Sequence, residues 1–61
     1  MKESVNYLID KIPKKYLINA DRDNKILFLN DKETVGYFWD TKVKYWALNL
    51  QITHGYKLKY I

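Results

Sequence analysis

The chain has 61 residues, of which 48% are hydrophobic, 16% aromatic and 30% charged, and its net charge is +4. We expect residues 1–61 to form one small folded domain. Because the sequence has no cysteine, disulfides and thiolate metal sites are excluded, and a single histidine argues against a histidine-based zinc site. The sequence shows neither a signal-peptide pattern nor an apolar run that could span a bilayer, so the expected location is cytoplasmic.

The first predicted element is a helix over residues 4–12. Apolar side chains recur from Val5 to Ile12 with the i, i+3, i+4, i+7 spacing of one helix face. Ser4 is a suitable N-cap, and Pro13 disfavours continuation of the helix. The pattern predicts a core-facing helix that must pack against the rest of the chain.

Short apolar runs separated by polar turns predict strands in the rest of the chain. The turn residues lie at 21–24, 30–33, 40–41 and 54–55. The strands predicted between and around these turns cover residues 16–20, 26–29, 35–39 and 56–60.

Residues 43–53 fit two interpretations. Residues 48–53 alternate apolar and polar side chains without a break, which is typical of a strand. A helix would begin after Asp40 or Thr41 as cap and end at Gly55, with a stripe formed by Val43, Trp46, Ala47 and Leu50. We favour the strand because β-branched and aromatic residues flank the region.

Together these elements predict an α+β fold. The short N-terminal helix would pack on a five-stranded antiparallel meander, or on a small curled sheet of the SH3 or OB type. Short connections favour this arrangement, because sequential strands joined by tight turns are antiparallel neighbours.

Nothing in the residue pattern assembles a catalytic site, so we predict that the chain is not an enzyme and has no cofactor or metal. His54 lies in a predicted turn, and Ser4, the only serine, is expected to cap a helix. The carboxylates of Asp21, Asp23 and Asp40 could converge on a magnesium ion at one end of the sheet, but aspartate is common in turns for conformational reasons alone.

Positive charge is concentrated in the last third of the sequence. Residues 42–61 contain four lysines and no acidic residue, and they include several aromatic residues. This asymmetry can steer a polyanion or an acidic protein surface, although lysines can also serve only to keep a small sheet soluble. Of the cationic residues only Arg22 is an arginine, which favours nonspecific contacts over the reading of bases.

The residues predicted to contact a partner are lysines, polar side chains and aromatics of the second half of the chain. They are Trp39, Lys42, Lys44, Tyr45, Asn49, Gln51, Lys57 and Lys59. On the strand interpretation the other large aromatics share a face with the aliphatic residues, so base stacking is disfavoured. At least one residue of the aromatic run 37–39 should be exposed or buried at an interface.

We therefore predict a small non-catalytic protein-binding module. The class considered is an inhibitor or regulator, including those encoded by phages or mobile elements, that docks on a larger nucleic-acid-handling protein. The alternative is direct, largely nonspecific nucleic-acid binding through a lysine-bearing sheet face. A homodimer formed through a strand edge is a further option.

Overall fold

The computed structural model of the chain describes residues 4–36 and 39–61. Along these residues one helix is followed by two strands, two helices and a last strand. In chain order the elements are α1 Val5–Lys11, β1 Leu17–Asp21, β2 Ile26–Leu29, α2 Asp31–Thr34, α3 Thr41–His54 and β3 Lys57–Tyr60.

Helix α1 forms where the apolar spacing predicts it. The Ser4 hydroxyl oxygen accepts a hydrogen bond from the backbone N–H of Tyr7 at 3.1 Å and so caps the first turn. At the other end Ile12 already has extended backbone angles, as expected for a residue that precedes a proline. The predicted helix over residues 4–12 is confirmed to within one residue at each end.

Strands β1 and β2 form the antiparallel hairpin that the two apolar runs predict. The turn between them is held by Asp21, whose carboxylate accepts hydrogen bonds from the backbone N–H of Asn24 at 3.1 Å and from its side-chain amide at 2.9 Å. Lys25 has a φ of 55°, in the left-handed region that such tight turns use. The predicted strands at 16–20 and 26–29 are confirmed, the first displaced by one residue.

The sheet differs from the prediction in number of strands and in direction. In the described part of the chain it has three strands in the order β1-β2-β3, with β2 antiparallel to β1 and parallel to β3. The predicted five-stranded antiparallel or curled sheet is therefore wrong, although the α+β class is correct. Parallel pairing of β2 with β3 requires a crossover, which α2 and α3 supply.

The favoured strand at residues 43–53 is also wrong, because these residues lie within the fourteen-residue helix α3. The Asp40 carboxylate accepts hydrogen bonds from the backbone N–H groups of Lys42 at 2.7 Å and Val43 at 3.4 Å, so it caps the first turn. Gly55 ends the helix with a φ of 76°, and its N–H donates to the Leu50 carbonyl. The caps belong to the helical alternative that we disfavoured.

The strand predicted over residues 35–39 is not present in the described residues. Val35 has helical backbone angles and ends the one-turn helix α2, which Asn30 caps within the region predicted as a turn. Trp39 lies outside any strand, and Tyr37 and Phe38 lie outside the described residues. In the described part of the connection from α2 to α3, residues 35, 36, 39 and 40 form no strand.

A small core joins both long helices to one face of the sheet. Its centre consists of four fully buried leucines, Leu8, Leu27, Leu29 and Leu50. Helix α1 packs against α3, and α3 packs against β3, on the side of the sheet towards which Leu27 and Leu29 point. Tyr16 adds a link, since its hydroxyl accepts a hydrogen bond from the Asp40 N–H at 3.3 Å, next to the start of α3.

Candidate binding surfaces

Three apolar side chains lie on the side of α3 that faces away from the core. Tyr45, Leu48 and Ile52 are spaced i, i+3, i+7, so they form one line along the helix, which we name the α3 outer stripe. Ile52 is 80% exposed and Tyr45 is 56% exposed, while Leu48 is half-buried. The core contacts of the same helix come from its opposite side, from Val43, Ala47 and Leu50.

Polar residues border the α3 outer stripe on both sides. Lys44 and Gln51 lie seven residues apart on one side, and Lys42 and Asn49 lie seven residues apart on the other. Each side therefore has a lysine near the N-terminal end of the helix and an amide further along. Together with Tyr45, five of the eight predicted partner-contacting residues occupy this region, as the helix brings them together.

The other two predicted lysines lie on the opposite side of the molecule. Leu27 and Leu29 of β2 point into the core. Side chains alternate along a strand, so Ile26 and Phe28 point outward. Cross-strand pairing places two rows of residues on this outward side, which we name the open sheet face: Asn19, Phe28 and Lys59 in one row, and Asp21, Ile26 and Lys57 in the other.

Trp39 occupies a different position from the other predicted residues. Its side chain is half-buried and packs on the core, with its ring centroid 6.0 Å from that of Tyr16 and the ring planes tilted by 56°. An aromatic pair in this geometry contributes to packing at the entrance to α3. A role for Trp39 in partner binding stays a prediction.

A shallow groove of about 590 Å³ lies between α1 and the outer edge of β1. Ile12, Leu17 and Ile18 give it apolar walls, and its rim has mixed charge from Asp10, Lys14 and Arg22. In the described chain β1 and β3 are the two edges of the sheet, so the predicted homodimer through a strand edge has two edges that it could use.

The residues that were weighed for catalysis are dispersed. Ser4 caps α1, and His54 is the last residue of α3. Within residues 4–36 and 39–61, no group of three or more histidine, aspartate or glutamate side chains could hold a metal ion. Asn24, through its side-chain amide and then its backbone N–H, holds the pKa of Asp21 below its ordinary value of 3.8. This lowered pKa arises from hydrogen bonds within the turn that connects β1 and β2.

Sequence reasoning missed three apolar residues that point away from the core: Ile52 is 80% exposed, and Leu48 and Phe28 are half-buried. The strand interpretation placed Leu48 and Ile52 on the core side together with Leu50. In the helix, Leu48 and Ile52 share one side and Leu50 lies on the opposite side. Phe28 lies on the side of β2 away from the core residues Leu27 and Leu29, and the continuous apolar run 26–29 does not indicate this. The helical stripe and the caps were the sequence signals that could have identified residues 43–53 as a helix.

None of the helices in the described ranges is long and apolar enough to cross a membrane. The chain matches no protein-family model, and comparison with curated proteins and with solved structures finds no significant similarity. The functional argument therefore rests on the surfaces themselves.

Proposed function

We propose that the chain is a non-catalytic protein-binding module that docks through the α3 outer stripe. The observation that carries this proposal is the exposure of Ile52, at 80%, in line with Tyr45 and Leu48 on the side of α3 that folding does not use. Burial of such side chains in a partner removes apolar surface from water, and full burial of one isoleucine contributes about 1.5–3 kcal/mol.

The stripe has the form of a helix that binds in a groove. An amphipathic helix docks by anchors at i, i+3 and i+7, and this is the spacing of Tyr45, Leu48 and Ile52. Tyrosine is also enriched among the residues that dominate binding energy at interfaces. The partner should therefore offer an elongated apolar groove about two helical turns long.

Charge around the stripe indicates what the groove should carry. Lys42 and Lys44 lie in the first turn of α3, where the helix dipole disfavours cations, and no acidic residue lies between Thr41 and His54. This arrangement weakens the helix slightly, and because the two lysines outnumber the cap carboxylate of Asp40, the N-terminal end has a net positive charge. We expect carboxylates in the partner beside that end of the groove.

A second copy of the chain fits this surface less well. If two α3 helices paired antiparallel through their stripes, the lysines of one would face Asn49, Gln51 and Thr53 of the other, with no carboxylate among them. A protein with an acid-rimmed groove satisfies both the apolar stripe and its lysines. That this partner handles nucleic acid, and that binding inhibits or regulates it, stays part of the proposal and rests on the basic charge of the chain.

Site-specific photocrosslinking tests the proposal. A photoreactive amino acid is placed at position 52 in cells that express the chain, and the crosslinked protein is identified, purified and titrated with the unmodified chain. Ile52→Ser should weaken the measured affinity at least about tenfold, and Lys42→Glu should weaken it in a salt-dependent way.

Val35→Ser is the matched control. Val35 is 61% exposed and lies at the end of α2, outside the helix that carries the stripe, so its substitution should leave the affinity unchanged. Equal loss of affinity in the Val35 and Ile52 variants would contradict the proposal, and so would crosslinking from position 52 to a second copy alone. Light scattering of the purified chain gives the oligomeric state independently.

A further inference from the structure

The open sheet face places an aromatic ring in the middle of a row of three strands. Phe28 lies on the central strand β2, with Asn19 of β1 on one side and Lys59 of β3 on the other. The ring is half-buried, so one part of it remains accessible to solvent, and its neighbours Leu27 and Leu29 fix the strand in the core. A ring held in this way is a rigid platform.

The second row of the face supplies another lysine. Lys57 lies beside Ile26, two residues before Lys59 on the same strand, so both lysines point to the same side at a separation of about 6–7 Å along the strand. Both are exposed, and both lie beside an outward apolar side chain of β2. The face thus has an apolar centre with two cations along one margin.

The turn at the end of this face contains two carboxylates and two cations, so it adds no net charge. Asp21 and Asp23 are its carboxylates, and the carboxylate of Asp21 already accepts two hydrogen bonds from Asn24. Arg22 and Lys25 are exposed cations in the same turn, and the Lys25 carbonyl accepts a hydrogen bond from the Lys57 N–H at 2.8 Å. The cations that strand pairing places on the face itself are Lys57, beside Ile26, and Lys59, beside Phe28.

We propose that the open sheet face binds single-stranded nucleic acid, with one base stacked on Phe28 and the phosphates of neighbouring nucleotides near Lys57 and Lys59. Aromatic side chains on a sheet stack unpaired bases, and lysines along the strand neutralise phosphates. A protein helix laid on the same face would bury both lysines away from water, which disfavours that occupant. The site is independent of the α3 outer stripe, since the two lie on opposite sides of the core.

Fluorescence anisotropy of the full chain with a labelled twelve-nucleotide single strand, as DNA and as RNA, tests this inference across a salt series. Phe28→Leu keeps an apolar residue in β2 and removes the ring, so affinity should fall about 5- to 150-fold, the range that loss of one stacked base gives. Phe28→Trp keeps a stacking surface and should retain the affinity of the unmodified chain. Replacing Lys57 and Lys59 together by glutamine should reduce the salt slope by about 1.4, the value for two phosphates on a single strand.

The matched control is Lys44→Gln, which removes one positive charge from α3 on the far side of the molecule, and thermal unfolding of each variant checks that it is folded. Binding at low salt that is insensitive to Phe28→Leu would mean electrostatic adsorption and would overturn the stacking site. If Lys44→Gln lowered the affinity for the single strand as much as Lys59→Gln alone, that result would also overturn the stacking site. A double-stranded competitor that binds as well as the single strand would exclude a base-stacking mode, and the absence of any binding at low salt would remove the site.

Discussion

The α3 outer stripe and the open sheet face contain the same kinds of residue, apolar side chains and lysines, in different arrangements. On α3 the apolar residues lie along a convex ridge with lysines on both sides of one end. On the sheet a single ring lies in a flat row with lysines along one margin. A ridge with aliphatic anchors fits a groove, whereas a flat aromatic surface fits the flat face of a base.

The comparison also separates residues that fold the chain from residues that are free to bind. Helix α3 contributes to both tasks, because Leu50 is fully buried and Ile52, two residues later, is 80% exposed. In β2 the same division occurs between Leu27 and Phe28. Each element uses one side for the core and leaves the other side accessible.

The largest predicted effect on the free energy of unfolding is the difference between a substitution at Leu50 and one at Ile52. Leu50→Ala removes a fully buried side chain at the centre of the core and should lower the free energy of unfolding by about 2–5 kcal/mol. Ile52→Ala should change it by no more than about 0.5 kcal/mol, since the side chain contacts mainly water. Urea denaturation followed by circular dichroism measures both. Similar losses in the two variants would show that the outer stripe takes part in folding.

The same two-sided helix explains why the sequence predicted residues 43–53 wrongly. A core stripe alone gives a clear 3.6-residue period, but the outer stripe adds Tyr45, Leu48 and Ile52 between the core positions. Over residues 48–52 the combined pattern alternates, as it does in a half-buried strand. The exposed residues that we assign to binding are thus the ones that obscure the helical period.

Local chemistry predicted other parts of the fold well. Helix α1 and the β1–β2 hairpin follow from a cap, a proline and a polar turn that act within a few residues. The parallel pairing of β3 with β2 joins segments that are distant in sequence, and no local signal specifies it. The apolar run of β2 likewise does not indicate that Phe28 points away from the core, since only the tertiary arrangement decides which face of β2 is covered.

The end of α3 gives the next largest effect. Gly55 has a φ of 76°, so Gly55→Ala forces a residue with a β-carbon into the left-handed region at a cost of about 1–2 kcal/mol. A β-carbon there meets no atom within 4 Å, so the loss should come from backbone conformation alone. Thermal unfolding measures it, and Gly55→Asn should lose less because asparagine tolerates this conformation. An unchanged midpoint for Gly55→Ala would mean that the helix ends differently in solution.

The start of α3 should respond by a similar or smaller amount. Asp40→Ala removes the oxygen that accepts hydrogen bonds from Lys42 and Val43, and the loss of such a cap costs about 1 kcal/mol. Asp40→Asn keeps an acceptor and should retain most of the stability, although it removes the negative charge beside the first-turn lysines. If the alanine and asparagine variants unfold alike, charge rather than capping is the contribution of Asp40.

The smallest effect concerns the turn that borders the open sheet face. Because the Asn24 side chain and backbone lower the pKa of Asp21 in the folded chain, this contact stabilises the fold above the ordinary pKa of 3.8 and is lost as the pH falls through the lower folded value. Titration of the Asp21 carboxyl carbon by NMR should show a pKa below 3.8, and Asn24→Ala should raise it towards that value. A pKa of Asp21 that does not move in Asn24→Ala would show that the Asn24 side-chain amide does not hold this carboxylate, because the backbone N–H of residue 24 remains in the variant.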